Sequence, residues 1–504
     1  MRKITFLVLL AFVFCTGANV SAQQANIYAY GLKAEVTDLS VKFSYILNAD
    51  ATSATIKVSN GDEFALSGSE LTKGARTVTK TLSGAPGTYT WSVTAAAANK
   101  SAATMVSDDY QVQFCVYNPW GLAVDNSFES EFFGNIYVAN GRTGISQETG
   151  RPVRPMVDGI YGLDPLFNPL FDDSEVIKQG IPGIVGGTGG AIGWRALSGW
   201  DESPGRIFVC ADGKILINSG TGLAPGPVMM DPADMYKDFV PVLSATPENG
   251  FWSSFIVGDA LYAFDRLCDI LKYDISGGFP ATSESEFFYD DFENGQYIDK
   301  LGTTRFPTIM PVKGGVWVAA TVDAPTDVPA GKPCVLFIDN TGKIVYKLDK
   351  DNGGNVNGSY GCLAISKDES LLAIQDFNGV NAVVYSITTN GDGIPTQLTQ
   401  EYTVPLERTC YSIAFDVANN LYAAAAGPEW IRVWATPKAT NETTTPAPSA
   451  QAIKIDGTGI GTIEAPALPK AYYNILGVKL ANEPESGIYI IQYDNGTTKK
   501  VMKK

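Results

Sequence analysis

The chain reads as an all-β protein, and three observations carry that reading. Runs rich in Val, Ile, Tyr, Phe and Thr alternate apolar with polar residues, as half-buried strands require. Turn formers are dense, with 51 Gly and 28 Pro among 504 residues, above the usual combined share of roughly 12%. No stretch sustains the 3.6-residue periodicity of an amphipathic helix. A hydrophobic share of 45% with 18% charged residues describes a folded chain rather than a disordered one. The length allows several cores, since a single core stops growing near roughly 250–300 residues.

The first element is an address. Arg2 and Lys3 precede an apolar run from Ile4 to Phe14, and Val20-Ser21-Ala22 offers a small-residue cleavage site before Gln23. Residues 1–22 are therefore expected to be a secretory signal, its apolar run too short to span a bilayer as a helix. Cys15 follows the bulky Phe12-Val13-Phe14, a poor approach for a lipid-modified cysteine. No later segment reaches the ~20 apolar residues of a spanning helix, so the mature chain is expected to be exported, without a transmembrane segment.

Residues 23–114 come next. Val41-Lys42-Phe43-Ser44-Tyr45-Ile46 and Ala54-Thr55-Ile56-Lys57-Val58 alternate cleanly, Asn60-Gly61 marks a turn, and Gly87-Thr88-Tyr89-Thr90-Trp91-Ser92-Val93 supplies a late strand. Short strands at this spacing predict an immunoglobulin-like sandwich, with Trp91 in its core. The Leu47-Asn48-Ala49-Asp50-Ala51 segment and the Gly-Thr-Tyr strand resemble the FlgD-type immunoglobulin-like modules of exported bacterial proteins.

From 115 to 437 the chain repeats. Strand cores stand at Ile136-Tyr137-Val138-Ala139, Ile207-Phe208-Val209-Cys210, Leu261-Tyr262-Ala263-Phe264, Val316-Trp317-Val318-Ala319, Leu371-Leu372-Ala373-Ile374 and Leu421-Tyr422-Ala423-Ala424. The last five recur about 50–55 residues apart, in the range of propeller blades. The first interval, about 71 residues, holds an insertion or a further blade. Flanking strands repeat as well, as at Cys362-Leu363-Ala364-Ile365 before one core and Ile431-Arg432-Val433-Trp434 after another. Sheets apolar on both faces bury them only against neighbours, so the array is expected to close into a β-propeller of about six blades, with seven as the alternative. The stretch from Gly361 to Tyr385 resembles WD40/YVTN-type propellers in general pattern.

Residues 438–455 open with Lys-Ala-Thr-Asn-Glu-Thr-Thr-Thr-Pro-Ala-Pro, the composition of an extended linker. Beyond it, 456–504 read as a small β-sandwich. Tyr473-Asn474 and Gly477, then Gly487-Ile488-Tyr489, an Asn495-Gly496 turn and Lys499-Lys500 follow in order. These residues resemble the C-terminal sorting domain of the type IX secretion system of Bacteroidetes. The resemblance implies that Tyr473, Asn474, Gly477, Gly487, Ile488, Tyr489, Lys499 and Lys500 form the sorting signal, that the secretion machinery is a partner, and that the chain reaches the cell surface or the medium.

Composition excludes much chemistry. There is no histidine in the chain, hence no Ser-His-Asp triad, His-ligated zinc or proximal-His haem. With 37 basic and 53 acidic residues the net charge is −16, unsuited to nucleic acid. The six mature cysteines, Cys115, Cys210, Cys268, Cys334, Cys362 and Cys410, are widely spaced and mostly lie in apolar strands, as small buried hydrophobes do.

Individual motifs point weakly. Gly186-Gly187-Thr188-Gly189-Gly190 lacks the Gly-Lys-Ser/Thr of a phosphate loop and reads as a loop. Beside it, Trp194, Arg195, Trp200 and Asp201 combine aromatic and charged groups that could form a glycan or peptide contact surface. Asp349 to Asn355 places oxygen ligands at alternate positions, so calcium is possible there, though no cofactor is expected. Asp172-Asp173 and Asp290-Asp291 are adjacent pairs, which point to opposite faces of a strand and do not make a glycosidase pair. Two functions remain: non-catalytic binding of a glycan, peptide or protein, and a propeller enzyme acting on extracellular carbohydrate (hydrolase, lyase or metal-dependent lactonase). The first is favoured, and fold alone does not separate them.

Overall fold

The computed structural model describes residues 24–503 except 142–143, 147–151, 153, 157–158, 171–184, 187–189, 192–203, 220–226, 233–238, 245–249, 266–268, 283, 291, 294–295, 298–307, 320–334, 349–361, 377–379, 426–429, 456–468, 475–478, 481, 485 and 494–497. The expected signal segment, residues 1–22, thus lies outside the described residues. What is described is strands joined by turns and short 3-10 segments. Among these residues no helix is long and apolar enough to cross a membrane.

Six antiparallel sheets form a ring. The innermost strand of each is Pro119–Val124, Pro204–Val209, Phe251–Val257, Thr308–Val312, Leu363–Ile365 and Cys410–Phe415, for blades 1 to 6 in turn. Each packs on the next, and the last packs back on the first. Blades 2 to 5 have four strands within one continuous stretch of chain, whereas blade 6 supplies three and takes its fourth, Thr104–Met105, from far upstream. Val106 N–H then donates to Val433 O at 2.8 Å, so the two ends of the array are fastened within one sheet.

The ring follows from the two-residue periodicity of strands that are apolar on both faces. In Gly315–Ala319 of blade 4, Val316 and Val318 enter the core shared with blade 3, while Trp317 and Ala319 enter the core shared with blade 5. In Leu421–Ala425 of blade 6, Leu421, Ala423 and Ala425 face blade 5, and Tyr422 and Ala424 face blade 1. The cores between blades 1 and 2 and between 2 and 3 complete the cycle. Every interface is made of alternate residues from two neighbours, so no blade can bury its faces alone. The fold is a β-propeller by this geometry.

One sequence-read core shifts its place. The run at 207–210 belongs to the innermost strand of blade 2, whereas the other five cores are second strands. Both strands are buried on both faces, so apolar runs cannot rank strands within a blade. The long first interval holds an insertion, because blade 1 packs directly on blade 2.

The N-terminal unit is a two-layer sandwich. Ala29–Thr37, Ser40–Leu47 and Gly74–Thr81 form one sheet. Trp91–Ala96, Ser53–Val58 and Glu63–Ala65 belong to the other, and Phe43 meets Trp91 edge-on at 4.9 Å between them. The expected linker is part of this sandwich. Glu442–Pro446 pairs antiparallel with Trp91–Ala96, and Ile453–Ile455 pairs with Gly87–Tyr89. Thr443 and Thr445 are buried, Ile453 and Ile455 join the core, and Trp91 Nε1 donates to Gln451 O at 2.8 Å. Thr and Pro suit a strand at a sheet edge as well as a linker, and only the open edge beside Trp91–Ala96 distinguishes them. The expected break at 114/115 moves upstream for the same kind of reason, since Thr104–Met105 belongs to the propeller. The propeller is therefore inserted into the sandwich.

The C-terminal segment forms a four-stranded antiparallel sheet of Pro469–Asn474, Lys479–Leu480, Gly487–Tyr493 and Thr498–Lys503. Among the described residues this is a single sheet, where a sandwich was expected. Tyr473 OH donates to Gln492 Oε1 at 3.0 Å, and Tyr489 OH donates to Glu483. Asn474 pairs with Tyr489, Gly487 with Lys503, and Ile488 with Met502. Lys499 and Lys500 are exposed opposite Ile491 and Ile490, and Gly477 lies outside the described residues.

Candidate binding site

The C-terminal ends of all six innermost strands line one cavity of about 330 Å³ on the ring axis. Its wall is mainly apolar, with Leu122, Ile207, Ile256, Met310, Ile365 and Phe415 each from a different blade. Its mouth is polar, edged by Asn126, Ser127, Lys367 and Glu369. That one end of every inner strand reaches the same cavity means the six run in the same sense about the axis.

Hydrogen bonds between blades hold the mouth. Asn126 Nδ2 of blade 1 donates to Phe415 O of blade 6 at 2.8 Å, and Ser127 Oγ donates to Ala211 O of blade 2. Glu369 of blade 5 accepts the Lys313 N–H of blade 4 through both carboxylate oxygens, at 3.0 and 3.2 Å. Glu369 has φ 59°, a left-handed conformation uncommon for a non-glycine residue. Lys367 Nζ lies 5.6 Å from the Phe128 ring centroid, a cation–π contact on the blade 1 loop.

The opposite end of the axis is bolted by a buried cation. Arg206, near the start of the blade 2 inner strand, donates from Nη1 to Trp120 O of blade 1 at 3.3 Å and to Tyr411 O of blade 6. Burial pushes its guanidinium down to about 10, so it remains charged at neutral pH. Cys362 Sγ donates to Cys410 O at 2.8 Å and Ser412 Oγ to Leu122 O at 3.2 Å, tying blade 5 to 6 and 6 to 1. Burial pushes the Cys362 thiol up to about 12. These groups are structural pins of the ring.

A second concavity lies where the sandwich meets blades 1 and 2. It measures about 570 Å³ and is walled by Leu32, Phe128, Phe133, Pro446 and Pro448, with Glu129, Glu131, Asp212 and Asp231 facing Lys33 and Lys214. Asp212 pairs with Lys214 at 2.7 Å. Glu129 accepts the Ser449 N–H at 2.8 Å and its Oγ–H at 2.7 Å, and these bonds hold its carboxyl below the usual range. The junction itself is hydrogen-bonded: Asn26 N–H donates to Asn420 Oδ1 at 2.6 Å, and Asn420 Nδ2 donates back to Asn26 O at 3.0 Å.

The residues singled out in the sequence fall elsewhere. Trp194, Arg195, Trp200 and Asp201 lie outside the described residues, as do Asp349–Asn355, Asp172, Asp173 and Asp291. The glycine string is described only at its flanks, where Val185–Gly186 pairs antiparallel with Gly190–Ala191. Cys115, Cys210, Cys362 and Cys410 are buried and not joined in disulfides; Cys268 and Cys334 lie outside the described residues. Among the described residues no three Cys, Asp or Glu side chains gather as metal ligands would. Neither concavity was foreseen, because each is lined by residues far apart in sequence. Of the structural pins, Arg206 alone left a sequence signal, as a lone charge in the apolar Gly205-Arg206-Ile207-Phe208 run, and it lines neither cavity.

No family model matches the chain, and no curated protein does either. Among solved structures it is similar to a Bacteroides thetaiotaomicron protein of unknown function at 12% identity and TM-score 0.39, over 80% of this chain and 98% of that one. An auxiliary nutrient binding protein from the same species aligns at 9% identity and TM-score 0.38, covering 81% and 98%. The WD40 β-propeller domain of Doa1 aligns at 9% and 0.38, covering 68% and 98%. Similarities this distant add nothing to the argument, and the propeller rests on the closed cycle of blades described above.

Proposed function

We propose that this chain is an exported β-propeller protein that binds an extracellular glycan, peptide or protein without transforming it. In this reading residues 24–97 with 441–455 are an immunoglobulin-like module, and 469–503 are a sorting domain that delivers the protein to the cell surface through the type IX secretion system. The observation that carries the binding reading is the axial cavity. It has apolar walls drawn from six blades and a polar mouth fixed by inter-blade hydrogen bonds, the form of a preorganised ligand site. Export is supported by the basic and apolar start of the chain, and sorting by the order of Tyr473-Asn474, Gly487-Ile488-Tyr489 and Lys499-Lys500.

Two measurements test it. Arrays of extracellular glycans and peptides are probed with the native chain and with Val257→Trp, which narrows the cavity at a residue 52% exposed. Binding lost in the variant at unchanged thermal stability supports the axial site, and equal binding rejects it. Chemical change of the bound ligand, read by mass spectrometry, overturns the non-catalytic reading. For delivery, cell fractions are compared between the full chain and one ending after Ile455, which keeps the sandwich whole. Equal localisation of the two rejects the sorting role.

A further inference from the structure

We propose that the ligand of the axial cavity is a short peptide with apolar side chains and both ends free, its ammonium set against Glu369 and its carboxylate against Lys367; this rests on the binding function proposed above and narrows it. The cavity of about 330 Å³ lies at the lower end of the roughly 300–1,000 Å³ of organic-ligand sites. Ile207, Ile256, Val257, Met310 and Ile365 stand in its wall. A glycan placed there would set hydroxyls against hydrocarbon and leave them unpaired, whereas an apolar side chain gains from the same burial.

Opposite charges flank the mouth. Lys367 and Glu369 both line it, from one turn of blade 5. That turn is tied to itself: Glu369 N–H donates to Ser366 O at 2.9 Å, and Asp368, outside the cavity lining, accepts Ser366 Oγ–H at 2.6 Å and Ser370 N–H at 3.1 Å. From it the two side chains diverge. Glu369 reaches to the Lys313 N–H of blade 4, and Lys367 Nζ lies 5.6 Å from the Phe128 ring centroid on the blade 1 loop. In a ring of six, blades 1 and 4 face each other across the axis, so the anion and the cation stand on opposite sides of the mouth. Both keep room for a ligand. One N–H fills only part of the roughly four acceptor positions of a carboxylate, and Lys367 donates no hydrogen bond to a described residue. Asn126 and Ser127, by contrast, are committed to Phe415 O and Ala211 O. A zwitterion laid across the mouth meets both charges at once and points its apolar side chains into the cavity.

Calorimetry of the full chain tests this with four probes: the dipeptide Leu-Leu, its N-acetylated form, its C-amidated form, and Ser-Ser. Leu-Leu should bind at least about tenfold tighter than each of the other three at low salt, and weaken as salt rises. Lys367→Met should weaken Leu-Leu and the acetylated form and leave the amide unchanged. Glu369→Gln, which keeps an oxygen for the Lys313 N–H, should weaken Leu-Leu and the amide and leave the acetylated form unchanged. Val257→Trp should abolish binding of all Leu-Leu forms. Should a variant fail to fold, the blocked peptides read the same two charges on the native chain. The proposal is overturned if Leu-Leu binds no tighter than the blocked forms or Ser-Ser, if either charge variant weakens every probe alike, if Val257→Trp leaves binding intact, or if no probe binds. Where the dipeptide fails yet the arrays yield another ligand whose binding Val257→Trp removes, the axial site stands and only this ligand class falls; where the arrays are blank too, both fall.

Discussion

Gly121, on the innermost strand of blade 1, packs against the backbone of the innermost strand of blade 2. A Cβ added there would stand 2.3 Å from Gly205 O, a backbone atom that cannot swing aside. Gly121→Ala should therefore destabilise the ring by about 1–3 kcal/mol, the usual range for overpacking, read as a lower midpoint in urea. Asp416 makes a different residue-scale prediction. It is wholly buried in a turn, accepts the Ala418 and Asn420 N–H groups at 2.9 and 2.8 Å, and burial raises its carboxyl from 3.8 to about 6. The folded state thus holds this proton more tightly than the unfolded one. Its ionisation costs nothing below the ordinary value, and the cost grows as pH rises until it is complete above about 6, where it is of order 3 kcal/mol. Asp416→Asn should flatten the loss of stability between pH 4 and 7, measured by urea unfolding at each pH; an unchanged slope rejects the assignment. Thiol chemistry gives a third test. Cys210 and Cys362 are buried with thiols pushed up to about 12, so peptide mapping should find them unlabelled by maleimide in the native protein and labelled in denaturant.

Among elements, the returning strand carries the sharpest expectation. A chain ending after Ile455 keeps Ile453 and Ile455 in the sandwich core and Gln451 O as acceptor for Trp91. One ending after Ala450 loses all three. Removing two buried isoleucines should cost about 4 kcal/mol or more. Circular dichroism melts should show the first truncation close to the full chain and the second clearly lower. If both melt alike, the return does not complete the sandwich. The Thr-rich composition that marked a linker is compatible with this strand because Thr443 and Thr445 turn inward while Glu442, Thr444 and Pro446 stay exposed, an alternation visible in the residues once an edge is known to await them.

The whole molecule is a ring fastened at one sheet and inserted into a sandwich. Each blade's faces are covered only by its two neighbours, so opening the ring anywhere exposes apolar surface at the break. Val106→Pro removes the N–H that bonds Val433 O and leaves the longer Ser107 N–H contact at 3.4 Å. It should lower stability by about 1–3 kcal/mol and increase hydrogen exchange in blades 1 and 6 together, which meet at the closure. Exchange rising in blade 6 alone would show that the blades do not depend on one another. The sequence by itself determined the all-β class, the repeating blades, the apolar alternation that forces them to stack, and the burial of Trp91. These are local properties of composition and period. The tertiary structure alone decided that Thr104–Met105 closes blade 6, that Glu442–Pro446 and Ile453–Ile455 return to the sandwich, and that the two cavities exist. Strand pairing across hundreds of residues depends on which edges remain open after the rest has folded, and no local periodicity encodes that. The cavities follow the same rule, since each draws its lining from segments whose only relation is their position in space.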